Sequence, residues 1–483
     1  MTPLPRWRLG LAFDRMAIAL LMIALAFRAL LMPAQNDTFW NLRDGSHILQ
    51  THQIPRFDTY SFTVAGAAYT DHEWLSQVWL ASGYSLGGMP GVELVAAAAV
   101  LTALLLVYRL MVGPLLTRFV LLAPALSVAS CVWVLRPQVF SLAAEALLVW
   151  WIARERWRWL PLLFVVWANA HGGVLLGGLT LAAALVVAVF RWRVRREAAD
   201  ARRVRALAVV VPLSGLAALC TPLGAHLIPY VLLTARRSRA IDISEWAATL
   251  PIDVLGIAFW IVALAFVVVV IARRRALATA GWADWALLGI CGALLPVAIQ
   301  SQRNLAPFLM FAAPTASRLL GPHFQFRLPS RRPRPRSPDH PQLNLALVAG
   351  FGTLAAVVVG LAWAGPADRL EWQPIAPPAL AALRACPDPL YNHYDDGGFL
   401  IWFAPERPVF VDSRQDPYPL DLLLAHQAVE RGQRSYRPLF SRYDIGCAFL
   451  PVGSPTVKAL TTDGWATRYR DQRYAVLAAP AHK

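Results

Sequence analysis

Apolar stretches, separated by short polar or arginine-rich segments, fill most of the chain up to residue 364. A helix needs about 20 apolar residues to cross the roughly 30 Å hydrocarbon core of a bilayer. The pattern therefore predicts an α-helical polytopic membrane protein with about eleven transmembrane helices. The predicted spans are residues 17–32, 92–110, 115–135, 139–153, 160–170, 174–190, 206–219, 254–272, 285–299, 305–320 and 343–363.

Composition supports this class, since 57% of the residues are hydrophobic, 15% are charged and the mean hydropathy is +0.47. The net charge of +16 comes from arginine clusters between apolar stretches, which is where the positive-inside rule places them. We interpret the charge as a signature of topology and expect no nucleic-acid partner.

The arginine clusters also predict which side each loop faces. If the N-terminus is cytoplasmic, the clusters at 154–158, 191–205, 273–275 and 327–336 are all cytoplasmic. The short apolar stretch 160–170 and the next stretch, 174–190, are then predicted to form a helical hairpin. It is interrupted at His171-Gly172-Gly173, and both of its ends are cytoplasmic. One cluster, at 236–239, falls on the opposite side, where it is a candidate for binding an anion.

A long polar loop, residues 35–90, follows the first span and is predicted to be periplasmic. It combines acidic residues with Phe, Trp and Leu at helical spacing over 39–51 and 73–84, which predicts two short helices in the membrane interface. The division we expect is a transmembrane domain, 1–364, that includes this loop, and a separate domain, 365–483.

The pattern changes after residue 364, where short β-branched or aromatic runs alternate with helical stretches. This alternation predicts a small C-terminal α/β domain on the periplasmic side. The predicted strands are 409–411, 447–452 and 473–477, and the predicted helices are 379–385, 420–430 and 455–462. Cys386 and Cys447 both lie in this tail, and pairing is one of two alternatives for them.

Several polar residues are expected at the periplasmic ends of the predicted helices. The carboxylates come from the first loop and the other groups from later turns: Asp37, Asp44, Asp71, Glu73, Arg136, His171, Arg303 and Asn304. A carboxylate can take a proton from an acceptor hydroxyl, and an arginine can stabilise a phosphate leaving group whose lipid tail stays in the bilayer. The other interpretation is that these residues only form hydrogen bonds with the ends of helices and ion pairs with one another. Glu145, inside a span, is either a structural partner or part of a lipid pathway.

Three motifs resemble a group of uncharacterised bacterial membrane proteins that are assigned to the GT-C superfamily of polyprenyl-phosphate-sugar-dependent glycosyltransferases. They are Asp-Thr-Phe-Trp-Asn-Leu-Arg-Asp-Gly at 37–45 with Asp-His-Glu-Trp at 71–74, Tyr-Asp-Asp-Gly-Gly-Phe-Leu-Ile-Trp at 394–402, and Val-Phe-Val-Asp-Ser-Arg at 409–414. The layout of an uncleaved first helix, a large first loop and a C-terminal outer domain is also similar. The resemblance covers nearly the whole chain.

The resemblance implies an inverting glycosyltransferase in the bacterial inner membrane. It implies a polyprenyl-phosphate-linked sugar as donor, a glycan or lipid as acceptor, and Asp37 as the catalytic base. Asp71 or Glu73 then orients the acceptor or a metal, while Arg303 and Arg136, with His171 on the same side, hold the donor phosphate. Asn36-Asp37 stands where many members have two acidic residues, which leaves a divalent metal open. The alternative is a non-catalytic protein that binds or translocates a lipid-linked glycan.

Overall fold

The structure is a computed structural model that describes residues 10–324 and 339–480, so the arginine cluster at 327–336 lies outside the described residues. The α-helices in chain order are α1 Phe13–Ala29, α2 Asn36–Thr51, α3 Trp74–Leu110, α4 Leu115–Ser130, α5 Gln138–Ala153, α6 Leu160–Ala170, α7 Val174–Arg195, α8 Ala198–Ala217, α9 Leu227–Ala240, α10 Val254–Ala272, α11 Trp282–Gln300, α12 Leu305–Leu320, α13 Pro341–Ala364, α14 Pro377–Arg384, α15 Gly397–Phe403, α16 Leu420–Glu430, α17 Arg437–Arg442 and α18 Pro455–Thr462. The strands are β1 Leu390–Asn392, β2 Cys447–Pro451, β3 Ala466–Arg470 and β4 Tyr474–Ala478.

The predicted fold class, an α-helical membrane protein with a small C-terminal sheet, is confirmed. Among the described residues, five helices are long and apolar enough to cross a membrane, namely α3, α7, α10, α11 and α13, and two shorter apolar helices are α4 and α5. α12 is buried along almost its whole length, because α4, α10 and α11 all pack against it.

Both helices predicted in the first loop are present, and each buries one side against the rest of the protein. α2 is largely buried and packs against α3. The approach is close at Gly45, where a Cβ atom would stand 2.1 Å from the carbonyl oxygen of Gln77. The second predicted helix is the first part of α3, which bends at Gly87 and Gly88 before it continues as the next apolar stretch.

The break predicted between the spans at 160–170 and 174–190 is also present. α6 ends at Ala170, His171 is extended, and α7 begins at Val174. The break leaves the side chain of His171 at the end of the helix pair, where it contacts residues from other elements. Glu145, by contrast, lies within the bundle, where the hydroxyl of Thr180 donates a hydrogen bond to it over 2.5 Å.

The tail forms a four-stranded sheet in the order β1-β2-β4-β3, in which β1 and β2 are parallel and the other pairs are antiparallel. The predicted strands at 447–452 and 473–477 correspond to β2 and β4, which are central and buried. The three predicted helices correspond to α14, α16 and α18. Cys386 and Cys447 form a disulfide bond.

The prediction of a strand at 409–411 is wrong, although these residues are fully buried. The side chain of Asn392 forms the hydrogen bonds with the backbone of this segment that a neighbouring strand would otherwise form. Its Oδ1 accepts from the amide of Phe410 over 2.7 Å, and its Nδ2 donates to the carbonyl of Val411 over 2.8 Å. Val409 forms only an isolated bridge, with Ser61 of the first loop. The segment therefore links the tail to the first loop instead of joining the sheet.

Candidate active site

A cavity of about 580 Å³ lies where the starts of α2, α5 and α12 meet the tail. Five of the eight residues selected from the sequence line it, namely Asp37, Glu73, Arg136, His171 and Arg303, whereas Asp44, Asp71 and Asn304 do not. The five lining residues come from five separate segments of the chain. The fold thus brings side chains that are distant in the sequence around one cavity. The two that are farthest apart, Asp37 and Arg303, are separated by 266 positions.

Asp37 occupies the first turn of α2, where the partial positive charge of a helix N-terminus favours a carboxylate. Thr38 fixes this turn in two directions. Its Oγ1 accepts from the amide of Gln35 over 2.9 Å and donates to the carbonyl of Leu135 over 2.6 Å. The bond to Leu135 places Asp37 beside Arg136, the next residue of that loop.

Alternating charges join Asp37 to Arg303 through two intermediates. Arg136 contacts Asp37 at 2.8 Å through Nη1 and Glu245 at 2.6 Å through Nη2. Glu245 in turn contacts Arg303 at 2.6 Å. Burial by itself would raise the pKa of Glu245, but Arg303 and Arg136 outweigh that effect and hold the pKa at about 2. Glu245 is therefore an ionised bridge between two guanidinium groups at neutral pH.

Glu73, His171 and Arg303 form a second group at the same cavity. Nε2 of His171 lies 3.5 Å from Glu73 Oε1 and 3.2 Å from an Arg303 nitrogen. Burial lowers the pKa of His171 to about 3, so the ring is neutral at neutral pH. The amide of Gly173 donates to its Nδ1 over 3.0 Å, and Nε2 lies between the carboxylate of Glu73 and the guanidinium of Arg303.

The pKa of Glu73 likewise results from burial opposed by neighbouring positive charge. Burial would raise it, but the neighbouring His72 and Arg303 outweigh burial and hold the pKa at about 2. Glu73 is therefore an anion at neutral pH. Its contacts are with the rings of His72, at 3.2 Å, and His171, at 3.5 Å.

Asp71 does not line this cavity, which separates it from the five residues with which it was grouped. It lines a different cavity of about 930 Å³, together with His47, Arg56 and Tyr69. Its Oδ1 accepts from Gln77 over 3.0 Å and from the amide of Glu73 over 3.2 Å, so it closes the turn before α3. Burial raises the pKa of Asp71 well above its ordinary value. The turn therefore directs Asp71 into one cavity and the next two residues, His72 and Glu73, into the other.

Glu245 and Trp246 are the site residues that sequence reasoning missed. Trp246 lies under Arg303, whose guanidinium carbon is 5.2 Å from the ring centroid. A signal was present, since Glu245-Trp246 follows the arginine cluster at 236–239 that positive-inside counting assigned to the outer side. Arg237 of that cluster binds backbone carbonyls of Gln415 and Asp416 in the tail.

The tail supplies the remaining wall through Tyr394, Asp395 and Asp396. Burial raises the pKa of Asp395, and it raises that of Asp396 to about 6. Tyr474 donates a hydrogen bond of 3.1 Å to Asp396. The acidic motif noted in the sequence at 394–397 is therefore part of the same cavity as Asp37.

The charged groups of the cavity do not fit a divalent metal. Among residues 10–324 and 339–480, no group of three or more His, Cys, Asp or Glu side chains is arranged to hold one. Asp37 and Glu245 each face an arginine instead of another carboxylate. The chemistry considered below uses no metal.

Solved structures with a similar overall fold include an oligosaccharyltransferase from Archaeoglobus fulgidus in complex with Zn and sulfate. The TM-score is 0.51 at 13% identity, over 90% of this chain and 68% of that one. ArnT from Cupriavidus metallidurans bound to undecaprenyl phosphate aligns over 95% of this chain and 97% of its own, at 14% identity and a TM-score of 0.48. No protein-family model and no curated protein matches the sequence.

The first of these matches shows that this chain and that oligosaccharyltransferase share an overall fold. At 13% identity the match concerns the arrangement of the chain alone. Function has to be argued from the cavity itself.

Proposed function

We propose that this protein is a GT-C type membrane glycosyltransferase that transfers a sugar from a polyprenyl-phosphate donor to an acceptor hydroxyl. One observation carries the proposal: Asp37 and the arginines Arg136 and Arg303 line the same cavity and are joined by a continuous series of ion pairs. A base for the acceptor and cations for a phosphate leaving group are the two components that such a transfer needs.

Asp37 is the proposed base. Its side chain is 24% exposed, so an acceptor in the cavity can reach it. The acceptor oxygen bonds to the anomeric carbon of the sugar while its proton passes to the Asp37 carboxylate. The bond between that carbon and the phosphate oxygen breaks, and the polyprenyl phosphate leaves with the electron pair. A single displacement of this kind inverts the anomeric configuration.

Arg136 and Arg303 are the proposed phosphate-binding groups. Both guanidinium groups face the cavity, and Nε of Arg136 is a buried donor with no hydrogen-bond partner among the described residues. Guanidinium groups bind phosphate through short charge-assisted hydrogen bonds. Each carboxylate oxygen of Glu245 contacts one of the two guanidinium groups, so Glu245 fixes the distance between the arginines. A phosphate oxygen can bind to them beside Glu245. The Nε2 of His171 lies 3.2 Å from an Arg303 nitrogen on the other side.

The location follows from the same proposal. The donor's lipid tail stays in the bacterial inner membrane, and the cavity opens to the periplasm together with the first loop and the tail. The N-terminus is then cytoplasmic, as the arginine clusters predict. The acceptor is a glycan or lipid that reaches the cavity from that side.

The second candidate function is binding or translocation of a lipid-linked glycan without transfer. The same arginines would serve it, but a carrier has no chemical step that requires Asp37 to accept a proton. Replacing Asp37 therefore separates the two functions.

The test uses purified protein in lipid vesicles, with polyprenyl-phosphate sugars extracted from bacterial membranes as the donor pool and extracted membrane glycans as acceptor. The quantity measured is the undecaprenyl phosphate released, which does not depend on which sugar is transferred. Asp37→Asn keeps the size of the side chain but cannot take a proton at neutral pH. We expect release to fall by about 10²- to 10⁴-fold.

The matched control is Asp421→Asn, which removes a carboxylate from an exposed position of α16. It is expected to release undecaprenyl phosphate at the wild-type rate. Wild-type activity in Asp37→Asn would rule out Asp37 as the base and favour the carrier function.

A further inference from the structure

The tail contacts the beginning of α2 at two points. The amide of Gly398 donates to the side-chain oxygen of Asn36, and the Nδ2 of Asn36 donates to the hydroxyl of Ser413 over 2.7 Å. The approach requires glycine at 398, because a Cβ atom there would stand 2.2 Å from the carbonyl oxygen of Asn36. Two tail motifs that the proposed function leaves unexplained, at 394–402 and 409–414, thus converge on Asn36 and Asp37.

Ser413 directly contacts the proposed base. Its Oγ lies 2.5 Å from Oδ1 of Asp37. The same Oγ accepts hydrogen bonds from Asn36 Nδ2 at 2.7 Å and from Trp40 Nε1 at 3.1 Å. A serine hydroxyl has two acceptor positions and one proton. Both acceptor positions are filled by donors, so the proton is directed at Asp37.

The carboxylate of Asp37 is thereby fixed through both oxygens. Oδ1 accepts from Ser413, and the single N–H of Trp40 is shared between this oxygen, at 3.3 Å, and the Oγ of Ser413. Oδ2 accepts from Arg136 at 2.8 Å. An ionised carboxylate has about four acceptor positions. Ser413 and Arg136 fill one on each oxygen, which leaves an acceptor position for the proton of an acceptor hydroxyl.

Ser413 itself has little freedom to move, because its neighbours form a buried ionic cluster. Arg414 contacts Asp412 at 2.6 Å and Asp58 of the first loop at 2.5 Å, and all three side chains are at most 1% exposed. The hydroxyl of Tyr418 also donates to Asp412 over 2.6 Å. The cluster ties the backbone on both sides of Ser413 to the loop that carries Asp37.

We infer that Ser413 is a positioning residue through which the tail completes the active site. It holds the Asp37 carboxylate in one orientation, with its free acceptor position directed at the acceptor hydroxyl. This inference rests on the proposed function, since it assigns to Ser413 a role that is exerted through Asp37. The tail is then part of the catalytic unit as well as a separate fold.

The test compares Ser413→Ala, Ser413→Thr and the double variant Asp37→Asn/Ser413→Ala in the undecaprenyl phosphate release assay. Loss of one hydrogen bond to a charged group predicts a decrease of about 10-fold in turnover for Ser413→Ala. Ser413→Thr keeps the hydroxyl and is expected to recover most of the turnover. In the Asp37→Asn background, Ser413→Ala is expected to cause no further decrease, because the two residues act as one unit.

A role that is only structural gives a different result, since it would lower the residual activity of Asp37→Asn as well and would lower the unfolding temperature. Ser435→Ala, at an exposed position of the tail, is the matched control and is expected to behave like the wild type. Full activity of Ser413→Ala alongside an inactive Asp37→Asn would overturn this inference and leave the proposed function intact. Full activity of Asp37→Asn would instead overturn the proposed function.

Discussion

Arg136 donates a hydrogen bond of 2.8 Å to Asp37, although 99 positions separate the two residues along the chain. The same guanidinium contacts Glu245 through its other terminal nitrogen. Arg136 is therefore placed between the proposed base and the group that spaces the two phosphate-binding arginines. Burial would lower the pKa of Arg136, but Glu245 and Asp37 outweigh that effect and raise it, so this residue stays a cation throughout the accessible pH range.

The first prediction separates phosphate binding from base catalysis. Arg303→Ala is expected to weaken binding of undecaprenyl phosphate by about 10- to 100-fold, because a charge-assisted hydrogen bond is lost. Asp37→Asn is expected to bind this lipid at least as well as the wild type, because it removes a negative charge beside the site. Titration of intrinsic tryptophan fluorescence in lipid nanodiscs measures both affinities.

The control for that titration is Arg468→Ala, which removes the same charge from an exposed position of β3. It accounts for the general attraction of an anionic lipid to a basic protein. Unchanged affinity in Arg303→Ala would exclude Arg303 from the phosphate site. A decrease of equal size in Arg468→Ala would show that the attraction is not specific.

The sequence was informative where local pattern decides the structure. Apolar length predicted the helical membrane fold, and α16 and α18 begin and end where helical spacing placed them. It failed at 409–411, where β-branched residues are buried against a loop, because the hydrogen-bond partner is the side chain of Asn392 and not a neighbouring strand. Burial of a short apolar run does not by itself specify a strand.

The candidate site was predictable in part for a related reason. Asp37 and Arg303 could be selected because both lie where an apolar stretch meets a polar one. Glu245 could not be selected on that ground, since it lies in a loop after α9. The arginine cluster at 236–239 drew attention to this loop, but it did not show that two distant arginines meet at Glu245. Asp71 was grouped with Glu73 because they are close in sequence, but the turn before α3 directs them into different cavities.

The second prediction concerns topology. With Cys131 and Cys220 replaced by alanine, new cysteines at Ala65 in the first loop and Thr462 in the tail should react with a membrane-impermeant maleimide in cells with a permeabilised outer membrane. Both positions are exposed. Arg275→Cys, in an arginine cluster predicted to be cytoplasmic, should react only after the inner membrane is broken. The opposite pattern would place the cavity on the cytoplasmic side.

The third prediction follows from the raised pKa of Asp396, about 6 in the folded protein, which results from burial opposed by His393 and the hydroxyl of Tyr474. An unfolded aspartate has a pKa of about 3.9. Because its pKa is higher in the folded protein, the Asp396 carboxyl binds its proton more tightly there than in the unfolded chain. The contribution of Asp396 to stability is therefore fully present below about pH 4 and is lost as the pH rises through about 6.

Asp396→Asn removes this dependence, because an amide stays neutral at every pH while its oxygen still accepts from Tyr474. A shift of about two pKa units corresponds to roughly 2–3 kcal/mol, so the variant should unfold a few degrees above the wild type at pH 8 and should show little difference at pH 4. Thermal unfolding in detergent at both values measures the effect, with the exposed Asp421→Asn as control. A variant that is less stable than the wild type at pH 8 would show that the ionised carboxylate is stabilised in the fold, contrary to the burial argument.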